Sequence, residues 1–581
     1  MELTPDKPLA GLLAPVFALR GKSDLGVGDV GALREFVHWA AKHGFGVVQI
    51  LPVNETGNDN SPYNAISSVA LEPLTIEITA KALPDLSAAE IKEIVAVADL
   101  AHLQEGPVKY PVVKALKRKL LERAFANFSA GPWKKKTDKR ARAFRQFCAD
   151  EVAWLESYAL FRTLMEENGG TERWDFWPTE QRTFAKADAW LEAQPAAERE
   201  RIEDRRRFFS YVQWIAWTQW RAAREDATEK HVALMGDIPF GVSYFSADVW
   251  ADAELFDHRW CGGAPPERVF KADPFTTKWG QNWGIPLYRW SVHRHQKFTW
   301  WRQRVAKVRE IFHLFRIDHI LGFYRIYSFP WRPDRNAEFL PLTDDEAKER
   351  TGGELPHFTP RPDDSPEHKA ANCADGDEYL KVLIEECGQY RLIGEDLGEV
   401  PDYVRPNLTQ LGIAGFKIPI WENEYDGGPM LPGGKYQRLS VTTYATHDFE
   451  PLRATWEGHM AKIEAAEHGG PETWGDRDHA WREVRRLAGW SGFEVPKITP
   501  YTDEVHERLL RALHASNAWI AITMITDLFA SLQRFNYPGA VSSSNWSERL
   551  PEPVAAWDRN RKLAAKMKRF DAMVRETGRW P

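Results

Sequence analysis

Short apolar runs rich in β-branched residues recur along this chain, each followed by polar or glycine-bearing positions. They predict strands at 12–19, 46–52, 232–239, 314–318, 392–395, 415–420, 440–446 and 519–526. Helical patterns separate the runs. Over 300–315 the residues Trp301, Val305, Val308, Ile311, Phe312 and Phe315 fall on one face at helical spacing. Over 31–42, Leu33, Phe36 and Val37 form a similar stripe. Strand–helix alternation predicts parallel pairing with crossovers, and eight such units make a (β/α)8 TIM barrel.

The strands are unevenly spaced, and insertions account for it. Between about Lys81 and Asp226 the chain is charged, helix-prone and poor in strand signals. The stretch opens with a capping box, Ser87 to Glu90, and continues in long periodic segments over 112–128, 144–167 and 202–224. A second stretch, about 336–377, is rich in Pro, Asp and Glu and reads as loop. The expected organisation is therefore an α/β barrel of residues 1–80 and 227–581, enlarged by a helical subdomain at 81–226 and a loop-rich insertion near 336–377.

Composition narrows the function. A net charge of −7 is spread without long single-sign blocks, so no basic stripe marks a nucleic-acid surface. A neutral substrate suits this balance better than a polyanion. The 26 tryptophans serve either a large core or the apolar faces of sugar rings, and composition does not separate the two. Cys148, Cys261, Cys373 and Cys387 are scattered without a CxxC pair, which argues against a disulfide framework or a zinc site. The N-terminus lacks the basic start of a signal peptide, and the apolar stretch 11–19 is too short to cross a bilayer. These features predict a soluble cytoplasmic protein with no membrane or nucleic-acid partner and with unspecified oligomeric state.

In such a barrel, functional residues gather at the C-terminal ends of the strands. Asp237, Asp318, Glu395 and Asp448 each follow an apolar run directly. One such carboxylate serves equally well as a helix N-cap; four in one register point to a shared mouth. Alternation puts Arg316 on the same strand face as Asp318, where its charge favours the ionised carboxylate that a nucleophile needs. Glu395 sits among glycines at another strand end, and a general acid there needs desolvation or a neighbouring negative charge. Asp396 is assigned to loop hydrogen bonding. His447 is a candidate donor to substrate hydroxyls, with Asp448 a second anion beside it. No third ligand stands at zinc spacing. Two carboxyl groups flanking an acetal carbon suffice for glycosidic cleavage, and a third can stabilise the oxocarbenium-like transition state.

With these residues in place, the chain resembles the 4-α-glucanotransferases, the amylomaltase or disproportionating-enzyme family. The motifs are SDLGVGD (23–29), LPVNETGNDNSPYN (51–64), GDIPFGV (236–242), GAPPE (263–267), GQNWGIPLYRW (280–290), FRIDHILGFYRI (315–326), IGEDLG (393–398), THD (446–448) and RFNYPG (534–539). The wording of RIDHILGF and GQNWG is most similar to the plant cytosolic disproportionating enzymes, without their starch-binding modules.

The resemblance implies a retaining transferase acting on maltooligosaccharides or other α-1,4-glucans, with no metal or organic cofactor. It implies Asp318 as nucleophile, Glu395 as acid/base and Asp448 as transition-state stabiliser. Arg316, His319, His447 and Asp237 match active-site neighbours of the family; Tyr63, Gln281, Trp283 and Asn536 match glucan-contacting positions. Many relatives continue Asn-Asp-Thr after the third carboxylate, whereas this chain reads Phe449-Glu450-Pro451. A retaining α-glucan hydrolase shares the same apparatus, and a catalytically silent glucan-binding protein is the reading from another class.

Overall fold

The structure, a computed structural model, describes residues 1–266, 273–425, 427–469, 473–538 and 545–581. Glu267 of GAPPE and Gly539 of RFNYPG lie outside the described residues. In chain order the strands are β1 (Leu9–Leu13), β2 (Val47–Gln49), β3 (Ala233–Pro239), β4 (Phe256–Ala264), β5 (Gln281–Tyr288) and β6 (Leu314–Asp318). They continue with β7 (Ile326–Phe329), β8 (His357–Thr359), β9 (Leu392–Gly394), β10 (Ala414–Lys417), β11 (Ser440–Thr442) and β12 (Ile520–Met524).

Eight of these close into a parallel barrel in the order β1-β12-β11-β10-β9-β6-β3-β2. All eight expected runs contribute a strand, and the fold is the enlarged (β/α)8 TIM barrel. The first run is shifted: β1 ends at Leu13, before Pro15, and residues Val16–Ala18 form a 3-10 turn. A proline has no N–H for a strand ladder, so the apolar residues beyond it pack as a turn instead. β11 likewise stops at Thr442, leaving Thr446 to Asp448 on the loop above it.

The remaining four strands form an antiparallel sheet in the order β5-β4-β7-β8 beside the barrel mouth. Nothing in the periodicity of the apolar runs predicted it. Its strands are short or glycine-interrupted, and polar residues occupy both faces of β5.

Helix boundaries differ from the periodic pattern where a residue changes element without changing face. The expected helix at 300–315 spans Thr299–Ile311; Phe312 is extended and Phe315 belongs to β6, yet both stay buried. The expected segment 144–167 is two helices, Lys139–Asp150 and Val152–Glu167. They break at buried Glu151, whose carboxylate meets Arg221 at 2.9 Å and Lys307 at 2.6 Å. The capping box at Ser87 and Glu90 is present in both directions.

The segment 336–377 departs from its loop reading. It carries helices Asn336–Phe339 and Asp344–Thr351, strand β8 and the first half of helix Pro366–Cys387. Pro366 occupies the first turn behind the Ser365 cap, where its missing N–H costs nothing, so the residue that reads as a breaker starts a helix.

The helices of 81–226 contribute to two apolar clusters. Val113, Leu120, Phe125 and Phe128 join the same apolar cluster as the barrel strands. A smaller cluster around Phe161, Trp177 and Trp250 links helix Val152–Glu167 to residues near the mouth. The 34-residue helix Ala196–Glu229 runs past the expected boundary and leads into β3. All four cysteines are free. Among the described residues no helix is long and apolar enough to cross a membrane.

Candidate active site

The parallel register of β3 and β6 builds the centre of the site. It sets Asp237 beside Arg316 and Pro239 beside Asp318. The Arg316 guanidinium donates from Nη1 to both Asp237 oxygens, at 2.8 and 2.6 Å. Its Nη2 lies 2.8 Å from Asp318 Oδ1. Buried opposite charges hold this arginine firmly protonated. One planar fork thus joins a buried carboxylate to one at the strand end, a geometry that the point charge of lysine does not reproduce.

Immediately past Asp318 the backbone turns at His319, with φ 52° and ψ 56°. A left-handed conformation at a non-glycine residue costs about 1–3 kcal/mol and persists only where surroundings enforce it. Here the turn aims the His319 N–H at Glu395 Oε2, 2.8 Å away. Glu395, one residue beyond β9, is thereby tied to the residue next to Asp318.

Glu395 keeps part of its surface open to the cavity, yet the protein packed around it pushes its pKa up to about 8. Desolvation is the largest cause, and the charges of Asp318 and Asp396 add to it; Arg316 and the His319 N–H act against it. A carboxyl in this state holds its proton at neutral pH. His319 moves the other way, to about 4, because burial disfavours its cation, and its ring is neutral. Asp396 faces away, accepting from Phe416 N at 2.6 Å and from Arg405 at 2.9 Å. Gly415 permits that clamp, because a Cβ there would sit 2.9 Å from the Asp396 oxygens.

The third carboxylate is anchored from a different element. Asn536 Nδ2 donates to Asp448 Oδ1 at 2.6 Å, and Arg534 donates to the Asp448 carbonyl. His447 Nε2 lies 3.4 Å from the same Asp448 oxygen and 3.0 Å from the Tyr63 hydroxyl. Tyr63 also donates to Asp237 Oδ2 at 2.7 Å, and its ring stacks on His447 with centroids 5.3 Å apart. A continuous chain of polar contacts therefore runs from Asp448 through His447, Tyr63 and Asp237 to Arg316 and Asp318.

These groups surround a cavity of about 1270 Å³ at the barrel mouth. Tyr63, Gln281, Trp283, Arg316, Asp318, His319, Glu395, His447, Asp448 and Asn536 all line it. Asp237 does not; it stands behind Arg316 and Tyr63 rather than on the surface offered to a ligand. Trp283 comes from β5, its indole N–H 3.2 Å from Gln281 Oε1 and its ring edge-on to His319. Among the described residues no group of three or more His, Cys, Asp or Glu side chains is placed to hold a metal.

Sequence reasoning missed Trp421 and Trp546 as cavity residues, whereas Phe449 stood out beside the third carboxylate. Trp421 meets Phe449 edge-on at 5.2 Å, and Trp546 lies against both Tyr63 and His447. Their signal was the surplus of tryptophan. Eight tryptophans are less than 2% exposed and serve the core, whereas Trp283 and Trp421 are 39% and 45% exposed at the cavity wall.

Comparison with known proteins identifies the family. The family model described as 4-alpha-glucanotransferase matches residues 14–555. The 4-alpha-glucanotransferase of Chlamydia caviae is 30% identical over 561 residues, covering 94% of this chain and 91% of its own. The 4-alpha-glucanotransferase DPE2 of Oryza sativa subsp. japonica is 33% identical over 330 residues, covering 55% of this chain and 32% of its own. In fold, the chain superposes on the amylomaltase of Streptococcus agalactiae, solved in complex with acarbose, with a TM-score of 0.72 at 23% identity, covering 99% and 100% of the two chains. By the family match and by the Chlamydia relative alike, the chain belongs to the 4-alpha-glucanotransferase family.

Proposed function

We propose that this protein transfers a segment of 1,4-α-glucan from a donor to the 4-hydroxyl of glucose or another glucan, through a covalent glucosyl-Asp318 intermediate. Asp318 attacks the anomeric carbon while Glu395 gives its proton to the leaving oxygen. Glu395 then removes the proton of the incoming 4-hydroxyl, which displaces Asp318; microscopic reversibility assigns both transfers to one residue. Asp448, fixed by Asn536, stabilises the oxocarbenium-like transition state.

The observation that carries this reading is the different surroundings of the two carboxyls. Glu395 is raised to about 8 while Asp318, in the same cavity, sits against the Arg316 cation. A carboxyl that holds its proton, facing one set against a guanidinium, is the pattern of an acid and a nucleophile. Tyr63, Gln281, Trp283, Arg316, His319, His447 and Asn536 are the proposed substrate contacts, and Asp237 acts through Arg316. The free cysteines fit a cytoplasmic enzyme. Residues 1–80 and 227–581 form the catalytic barrel in this reading, with 81–226 a helical insertion that shares its core.

Incubating the pure protein with maltotriose tests the proposal. Glucose together with a ladder of longer oligomers is expected. Rising reducing ends without a ladder would make it a hydrolase, and full turnover by an Asp318→Asn variant would leave only a glucan-binding role.

A further inference from the structure

Of the tryptophans more than a third exposed among the described residues, two line the cavity and the third does not. Trp474 is 52% exposed at the start of helix Trp474–Trp490. That helix carries Arg477, Trp481, Arg482 and Arg485 on the same face, at spacings of three, seven, eight and eleven residues from Trp474. A shallow groove of about 700 Å³ lies along them. Arg485 rests over the Trp481 ring at 4.5 Å and Arg477 over Trp474 at 5.9 Å. Neither Arg482 nor Arg485 makes an ion pair among the described residues.

The far end of the stripe abuts the segment that carries Trp421 into the cavity wall. Arg486 donates to Asn423 Oδ1 at 2.7 Å and to the Ile420 carbonyl at 3.4 Å, on either side of Trp421 in the cavity wall. From Arg486 back to Trp474 the helix runs about 18 Å at 1.5 Å per residue. An aromatic and guanidinium track therefore begins beside the residues that flank Trp421 and follows the helix away from them.

We infer that this track is a second glucan-holding surface, outside the catalytic cavity, that grips long α-1,4-glucans. The inference rests on the proposed transferase reading and adds to it a preference for polymer. Indole faces offer an apolar platform to the apolar faces of pyranose rings. Guanidinium N–H groups with no carboxylate to satisfy donate to sugar hydroxyls. A ligand too short to leave the cavity does not touch the track; a polymer threaded past Trp421 does.

The test compares the full-length protein with Trp474→Ala/Arg482→Ala, both exposed positions, and separately with Trp481→Ala. Each is run through native gels containing soluble amylose, and KM is measured with long amylose and with maltotriose. Retardation of the unaltered protein is expected, with a roughly tenfold weaker apparent affinity in the double variant. KM for amylose should rise in step while maltotriose kinetics stay unchanged. Unaltered retardation in both variants overturns the inference, as does an unretarded parent protein or an equal loss on both substrates. The parent's maltotriose ladder is read in the same experiment, so failure of the transferase reading is distinguishable from failure of the track.

Discussion

Arg316 stands between two carboxylates, bonded through Nη1 to Asp237 and set 2.8 Å from Asp318 through Nη2. The arrangement positions Asp318 as well as neutralising it. Asp237 is buried and Arg316 nearly so, and their strands are locked in parallel register. The nucleophile candidate therefore inherits its orientation from the barrel itself rather than from a loop.

Replacing Arg316 with Lys should separate charge from geometry. The cation is retained, but a single ammonium does not bond Asp237 and reach Asp318 in one plane. Misplacing a reacting group by about 1 Å costs on the order of 10²-fold in rate, so kcat on maltotriose should fall by about that factor in a protein that still folds. A variant with parental kcat would show that charge alone suffices.

The raised Glu395 value sets the alkaline limb of activity. Below about 8 the carboxyl carries the proton it must donate, and above it the acid is lost, so kcat/KM should decline as pH rises through about 8. Asp318 is one cause of the rise. In Asp318→Asn, Glu395 should titrate at lower pH, read by carboxyl infrared bands, because a negative neighbour is gone while Arg316 stays. An unchanged Glu395 titration would mean that the two groups do not interact.

Glu395→Gln removes the acid and should lower kcat on maltotriose by about 10²–10⁴-fold. An α-maltosyl fluoride donor needs little protonation of its leaving group, so formation of the covalent intermediate from it should be far less impaired. The same substitution should stabilise the fold at pH 7. The folded state holds a proton that the unfolded chain releases above the ordinary carboxyl range, so stability is lost as pH rises towards about 8, and glutamine removes that loss. Thermal unfolding at pH 7, compared between the two proteins, measures it.

How much of this was legible in the sequence follows from what periodicity encodes. The β3, β6 and β9 runs read well because a parallel barrel strand buried on both faces is a continuous apolar run that leads into the functional residue. Asp237, Asp318 and Glu395 therefore stood out. The role of Asp237 did not, because the register that hides it behind Arg316 is a property of strand pairing and not of either strand alone. The β5-β4-β7-β8 sheet was illegible for a related reason: Gln281, Asn282 and Trp283 are polar or exposed residues in a strand held by backbone pairing to β4. Trp421 and Phe449 come together only because the loops after β10 and β11 meet, which no local pattern records.

Phe449 directly follows Asp448, and its ring leans on Trp421 at the cavity wall. Aromatic pairs of this kind contribute about 0.5–1.5 kcal/mol beyond their buried area. Phe449→Asn should free the Trp421 ring and raise KM for acceptor glucose or maltose by a factor of roughly 3–10. Turnover of a saturated enzyme should change less, since no reacting group is moved. Acceptor KM measured at fixed donor checks this; an unchanged value would place the pair outside the acceptor path.

The opposite end of the barrel offers a control that touches no substrate. Arg579 is buried, and its guanidinium donates to the carbonyls of Leu9, His514, Ser516, Ala518 and Trp519. Leu9 opens β1 and Trp519 precedes β12, so the C-terminal tail closes the seam between the first and last barrel strands. Arg579→Met keeps much of the apolar stem but leaves these carbonyls short of donors, which should cost on the order of 3 kcal/mol. The urea midpoint should fall while kcat on maltotriose stays at the parental value in the folded protein, because the seam lies across the barrel from Asp318 and Glu395. A fall in kcat with no change in midpoint would instead tie the tail to the active site.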